Sequence, residues 1–154
     1  MNYYADVILP LPLQGTFTYE LSKKEYENLG IGHRVAVSFG KRKVYTGVIK
    51  EIHNNKPALY ETKPIEFIYD KEELISESQI EFWSWISRYY FTPIGDVLKA
   101  AIPSTFLLES ETIIIKKEIN SDDIDQMTDD EYLIYEALDF KTLKINEVSD
   151  ILDK

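Results

Sequence analysis

Apolar and polar residues alternate along much of the first half of the chain. Between residues 34 and 39, Val35, Val37 and Phe39 alternate with smaller or polar side chains, which is the period of a strand with one buried face. Alternating or β-rich runs also predict strands at residues 3–9, 16–21, 44–52 and 62–68. Because these strands are short and turn residues separate them, the pattern predicts a small antiparallel β-barrel or sandwich.

Helical spacing replaces this alternation after residue 70. Phe82, Trp85, Ile86 and Tyr89 recur three or four positions apart. This spacing predicts a helix at about 78–91 whose apolar stripe packs on the barrel.

Local signals predict where the helices begin and end. Ser78 and Glu81 have the spacing of a capping box, and Thr92-Pro93 should end the helix because a residue before proline disfavours the helical region. Prolines bound a second short helix, predicted at 94–101. The predicted fold class is therefore α+β, a small barrel with C-terminal helices packed on it.

The residue pattern in the last third of the chain predicts a connector followed by a second domain. We expect a first domain at 1–108, an acidic connector at 109–127, and two short amphipathic helices at 128–154, the first opened by a Thr128–Glu131 capping box. Two such helices cannot enclose a core, so we expect a second domain that is cut short. The alternative is that they pack back on the first domain.

Charge is distributed unevenly along the chain. The 154 residues carry a net charge of −10, yet residues 30–64 hold seven cations and two anions. Association with a polyanion depends on the local patch. Lys41, Arg42 and Lys43 follow Gly40 between two predicted strands, where a glycine backbone beside cations suits a phosphate-bearing partner. The alternative for this stretch is a solvated hairpin tip.

Residue types restrict the function classes. Two histidines without cysteine argue against a zinc site, and neither a phosphate-binding loop nor a nucleophile set is present, so an enzyme is the least favoured class. No signal peptide or membrane-length apolar run occurs, which favours a cytoplasmic location. Binding remains: cations with Phe17 and Lys63 would suit a barrel that holds single-stranded nucleic acid, and a protein-interaction barrel is the alternative.

Four stretches, taken together, resemble a known family. They are residues 5–13, 16–19 (Thr-Phe-Thr-Tyr), 32–41 (ending Phe-Gly-Lys) and 89–98 (Tyr-Tyr-Phe-Thr-Pro-Ile-Gly-Asp-Val-Leu). In this order they resemble the amino-terminal domain of the PriA family of primosomal replication-restart helicases. The final two helices resemble the start of the winged-helix domain that follows in that family.

The resemblance implies a domain that binds the 3′-hydroxyl end of the nascent leading strand at a stalled fork. It assigns the pocket for the terminal nucleotide to Phe17, Thr18, Gly40 and Lys63. The family has an aspartate where this chain has Thr18, and a single hydroxyl replaces the carboxylate there. The resemblance also implies phosphate contacts from Lys41, Arg42 and Lys43.

The resemblance further implies a larger parent protein. That protein would be an ATP-dependent 3′-to-5′ helicase that starts primosome assembly, with ATP, magnesium and zinc as its cofactors. For this chain itself we expect no cofactor, no metal and no enzymatic activity. The implied partners are fork DNA, single-stranded-DNA-binding protein and other primosome proteins, and no membrane.

Overall fold

A computed structural model of the chain describes residues 2–41, 43–111, 113–118, 124 and 126–152. The chain divides into two compact units, residues 1–110 and 111–154. Arg42 and most of the acidic stretch at 119–125 lie outside the described residues, so the predictions made for them are not addressed by the structure.

Strands dominate the first unit, as the alternating pattern predicts. Its described residues form β1 (Tyr3–Ile8), β2 (Phe17–Leu21), β3 (Arg34–Phe39), β4 (Lys43–His53) and β5 (Ile65–Ile68). These strands pair antiparallel, in the order β2-β1-β4-β3-β5. A short helix, α1 (Lys23–Asn28), follows β2.

The two edges of this sheet approach each other. The N–H of Glu20 on β2 donates to the carbonyl of Lys63, 2.8 Å away, just before β5, and Glu20 forms a parallel bridge with Pro64. The sheet is therefore curled, in agreement with the predicted barrel-like α+β fold. The curl brings β2 close to the segment that precedes β5.

Each face of the sheet has its own core. Successive strand residues point to opposite faces, so Val7 packs among the strands while Ile8 packs under the helices. These helices are α2 (Glu77–Tyr90) and α3 (Ile94–Ala101), and α3 has the predicted bounds.

Two predictions about α2 are wrong: the position of its N-cap and the face that it buries. Its N-cap is Ser76, which forms the capping box with Gln79. The predicted pair, Ser78 and Glu81, has the same spacing two residues later, so spacing alone does not distinguish the two pairs. The buried residues of α2 are Ile80 and Trp83.

The predicted aromatic stripe of α2 is mostly exposed. Phe82, Trp85 and Tyr89 are 58%, 49% and 63% exposed. Their rings stack on one another, with centroids 5.9 Å apart for Phe82–Trp85 and 5.1 Å for Trp85–Tyr89. Apolar residues recur with helical spacing on both faces of α2. The face with Ile80 and Trp83 is the one that packs against Ile8 and Val48.

The second unit contains β6 (Ile113–Ile114), α4 (Asp129–Ala137), β7 (Leu143–Lys144) and α5 (Ile145–Ile151). β6 and β7 pair antiparallel. The predicted capping box at Thr128 and Glu131 is confirmed. The winged-helix assignment of these residues stays a prediction.

Candidate functional site

The curl of the sheet forms an open cavity of about 260 Å³ in the first unit. Its walls come from β2, from the end of β3 with the following turn, and from the segment before β5. The lining residues are Phe17, Thr18, Tyr19, Ser38, Phe39, Gly40, Tyr60, Glu61 and Lys63. The four residues predicted to form a pocket therefore lie together.

Phe17 is the first residue of β2 and is half-buried. Its ring meets the ring of Phe39 edge to face, with centroids 4.7 Å apart and planes at 68°. This geometry is the favoured one for aromatic pairs. Phe39 therefore orients Phe17 at the wall of the cavity.

Gly40 and Lys63 join two walls of the cavity. Nζ of Lys63 donates to the carbonyl oxygen of Gly40 at 2.9 Å. Gly40 has φ +69°, a left-handed conformation that glycine adopts without a steric penalty. A Cβ at this position would meet no protein atom within 4 Å, so the space beside Gly40 is open.

Thr18 forms two hydrogen bonds from β2. Its hydroxyl donates to Oδ1 of Asp6 at 2.6 Å, and its backbone N–H donates to the hydroxyl oxygen of Tyr60 at 3.1 Å. Thr18 thus contacts a carboxylate on the neighbouring strand and a tyrosine at the cavity wall.

A buried tyrosine closes the inner side of the cavity. Burial, and to a lesser extent Tyr60, raises the pKa of Tyr19 above its usual range. The neutral hydroxyl of Tyr19 donates to the carbonyl of Ser38 at 3.1 Å. This bond ties β2 to the end of β3.

Lys41 and Lys43 are the described cations of the basic turn that follows Gly40. Both are exposed but do not line the cavity, and Nζ of Lys43 lies 5.9 Å from the centroid of the Tyr45 ring. Both lysines follow Gly40 closely along the chain. Among the described residues they extend the site with positive charge.

Sequence reasoning missed Tyr60, Glu61, Ser38 and Asp6. Tyr60 and Glu61 lie in a segment without regular secondary structure, where no periodicity exists to read. The β-strand pattern gave Asp6 an ordinary strand position, and only the β1–β2 register brings it to Thr18.

The described part of the chain gives little support for a metal site, a membrane span or a second binding cleft. No group of three or more His, Asp or Glu residues there could hold a metal ion. None of the described helices has both the length and the apolar character that a bilayer span requires. A larger open cleft beside α2 has mixed charge, since Lys50 and Arg88 face Glu77 and Glu81.

Comparisons with known proteins agree on one family. The chain is 27% identical over 108 residues to the replication restart protein PriA of Treponema pallidum (strain Nichols), covering 68% of this chain and 16% of that protein. It is 32% identical over 113 residues to the replication restart protein PriA of Buchnera aphidicola subsp. Acyrthosiphon pisum (strain APS), covering 73% of this chain and 15% of that protein. The matched part of the chain thus spans about one sixth of the length of these curated relatives.

The family match covers both the sheet and its helices. Residues 6–103 match the PriA 3′ DNA-binding domain (3′BD). This range includes all of the described residues that line the cavity. Because the match spans well over half of the chain, from β1 to the end of α3, the chain belongs to the PriA 3′ DNA-binding domain family.

Proposed function

We propose that this chain captures the 3′-hydroxyl end of the nascent leading strand at a stalled replication fork. The observation that carries the proposal is the cavity that Phe17, Thr18, Gly40 and Lys63 line together. Membership of a DNA-binding family favours DNA over a protein partner. The cavity volume, about 260 Å³, is near the lower end of the ~300–1,000 Å³ range of small-molecule sites, so the cavity has room for the end of a strand and not for several nucleotides.

The walls of the cavity offer complementary contacts to a nucleotide. Phe17 presents an aromatic ring, and base–aromatic contacts tolerate any base because every base has a π-face. Gly40 leaves the backbone open for close approach. Lys63 uses one of its three N–H donors on Gly40, so two donors remain for the terminal sugar or its phosphate.

The basic turn provides the second part of the interface. Lys41, Arg42 and Lys43 would neutralise phosphates of the strand that ends in the cavity. Such contacts position DNA without reading its sequence. Binding should therefore be independent of sequence and should weaken as salt rises.

The test compares two forks that differ only in the chemical group at the 3′ end of the leading strand. Fluorescence anisotropy would measure the affinity of this chain for a fork whose leading strand ends in a 3′-hydroxyl and for the same fork with a 3′-phosphate. We expect tighter binding of the hydroxyl end, because a phosphate adds bulk and charge in a small cavity that contains Glu61. A fork without a leading strand is the control, and equal affinity for both ends would refute the proposal.

We extend the proposal to the whole protein that would carry this domain. The relatives are named replication restart proteins, and the part of this chain that matches them covers only 16% and 15% of their lengths. The whole protein would be an ATP-dependent 3′-to-5′ DNA helicase with magnesium and zinc, acting in the cytoplasm with single-stranded-DNA-binding protein and other primosome proteins. It should hydrolyse ATP in the presence of DNA, whereas residues 1–154 alone should not; hydrolysis by this chain would contradict the proposal.

A further inference from the structure

A carboxylate lies one strand behind the cavity, next to the residue that replaces the family's aspartate. Asp6 on β1 is directly opposite Thr18 on β2, and Oγ1 of Thr18 lies 2.6 Å from Oδ1 of Asp6. The side chain of Asp6 is 25% exposed. Thr18 lines the cavity, whereas Asp6 lies behind it and is partly shielded from water.

The direction of this hydrogen bond follows from chemistry. An ionised carboxylate only accepts, whereas a hydroxyl has one proton and two lone pairs. The proton of Thr18 therefore points to Asp6. The remaining hydrogen-bonding capacity of the Thr18 side chain is acceptor capacity alone.

His53 holds the carboxylate from the other side. Its Nδ1 accepts the N–H of Asn55 at 3.1 Å, so in the neutral ring the proton lies on Nε2. Nε2 is 3.3 Å from Oδ1 of Asp6. The same oxygen thus accepts the Thr18 hydroxyl proton on the β2 side and lies against the His53 ring on the β4 side, and these two contacts keep Asp6 directed at Thr18.

We propose that Asp6 is a positioning residue for recognition of the 3′-hydroxyl: it binds the proton of Thr18, so that the Thr18 oxygen accepts the terminal hydroxyl of the DNA. The inference rests on the proposed function of the cavity. A 3′-hydroxyl can donate to Thr18, whereas a 3′-deoxy end cannot. Discrimination between these ends therefore reports on the Asp6–Thr18 pair.

The test measures the ratio of affinities for forks ending in a 3′-hydroxyl and a 3′-deoxy nucleotide. A neutral hydrogen bond predicts a preference of about 5- to 10-fold for the hydroxyl in the wild-type chain. Asp6→Ala should lower it to about 2-fold, because the freed Thr18 proton then competes for the site. Thr18→Val should abolish it, and Thr18→Ser should keep it.

A double-mutant cycle separates positioning from a general effect. In the Thr18→Val background, Asp6→Ala should change the ratio no further, because Asp6 acts through Thr18. Glu51→Ala is the matched control, since Glu51 is an exposed carboxylate opposite Asp6 on β4. It changes the net charge equally and should leave the ratio at the wild-type value.

Several results would overturn the inference. A wild-type ratio with Asp6→Ala, or an equal effect of Asp6→Ala in the Thr18→Val background, overturns it while the proposed function stands. Equal affinity of the wild-type chain for the hydroxyl and deoxy ends also overturns the inference, and the proposed function falls with it only if the 3′-phosphate end is bound equally well. If Asp6→Ala does not fold by circular dichroism, Asp6→Leu replaces it, because leucine has a similar size and cannot accept the Thr18 proton; an unchanged ratio in that variant is equally decisive against the inference.

Discussion

Lys63 donates a hydrogen bond from Nζ to the main-chain oxygen of Gly40, with 2.9 Å between the two atoms. The bond joins the segment before β5 to the turn between β3 and β4. The backbone of Lys63 is also held, since its carbonyl accepts the N–H of Glu20 on β2. Three walls of the cavity thus meet at one residue.

Lys63→Ala should weaken binding of the fork with a 3′-hydroxyl end. We expect the affinity to fall about 10- to 150-fold, because a charge-assisted hydrogen bond contributes about 1.5–3 kcal/mol. The melting temperature should change little, since Lys63 is exposed. Anisotropy and thermal denaturation measure the two effects. Lys56→Ala removes an exposed lysine of the same connection that does not line the cavity, and an equal decrease there would contradict the role of Lys63.

Gly40→Ala should lower both stability and affinity. The left-handed φ of +69° makes alanine cost about 1–2 kcal/mol, and the added methyl group occupies the space beside the cavity. Gly15 gives a matched control, because it has φ +84° and equally open surroundings but does not line the cavity. Gly15→Ala should show the same decrease in stability by urea denaturation without the decrease in affinity.

Phe17→Ala should reduce the affinity for the 3′ end by about 1–3 kcal/mol, the usual contribution of a base–aromatic contact. Phe67 provides the comparison. It is 61% exposed and meets Tyr69 edge to face, with centroids 5.3 Å apart, yet it does not line the cavity. If Phe67→Ala weakened fork binding as much, the aromatic contact could not be assigned to the cavity.

Replacing Lys41, Arg42 and Lys43 together with alanine should lower DNA affinity and its dependence on salt. The slope of log K against log salt should become shallower by about 1 for each phosphate that is no longer neutralised. The preference for a 3′-hydroxyl end should persist, because Lys41 and Lys43 do not line the cavity. Lys23→Ala with Lys24→Ala, two exposed lysines on α1, should leave the slope unchanged.

Asp70→Asn should destabilise the first unit at neutral pH and much less in acid. Burial alone would raise the pKa of Asp70, but the hydrogen bonds and charge of Arg34 outweigh it and lower the pKa. The two residues form a paired contact, with 2.6 Å from Nη2 to Oδ1 and 3.0 Å from Nε to Oδ2. A lowered pKa means that this contribution is complete above the unfolded value, about 3.9, and disappears as pH falls through the folded value.

Urea denaturation at several pH values tests the Asp70 prediction. We expect the free energy of unfolding to fall by about 1.5–3 kcal/mol at pH 7, and this difference should shrink below about pH 4. Glu66→Gln on the exposed side of β5 is the control and should show neither the decrease nor its pH dependence. A difference at Asp70 that stays constant from about pH 7 to about pH 2 would contradict the role of its charge.

Local signals in the sequence were sufficient for much of the fold. Alternation found the five strands of the first unit to within a few residues, and prolines predicted α3 at its observed bounds. The Thr128–Glu131 box is observed. These features depend on backbone sterics and on hydrogen bonds between residues close in the chain, which a sequence displays directly.

The exposed face of α2 is a feature that the spacing of apolar residues in the sequence does not predict. Trp85 and Tyr89 have the spacing of a buried stripe, yet Ile80 and Trp83 are the buried residues of α2. Ile86 is the member of the predicted stripe that packs against the same core. Spacing defines a face of the helix, but the surface that receives it is formed by β1 and β4. Which of two apolar faces is buried is therefore decided by packing.

By itself, the sequence determined the strands, the basic turn and, through its resemblance to a family, the identity of Phe17, Thr18, Gly40 and Lys63. Only the tertiary structure brought these residues to one cavity and added Tyr60 and Glu61 to its wall. It also decided that Asp6 lies behind Thr18. The physical reason is that strand register and the curl of the sheet arise from contacts between distant residues, and no local pattern in the chain encodes them.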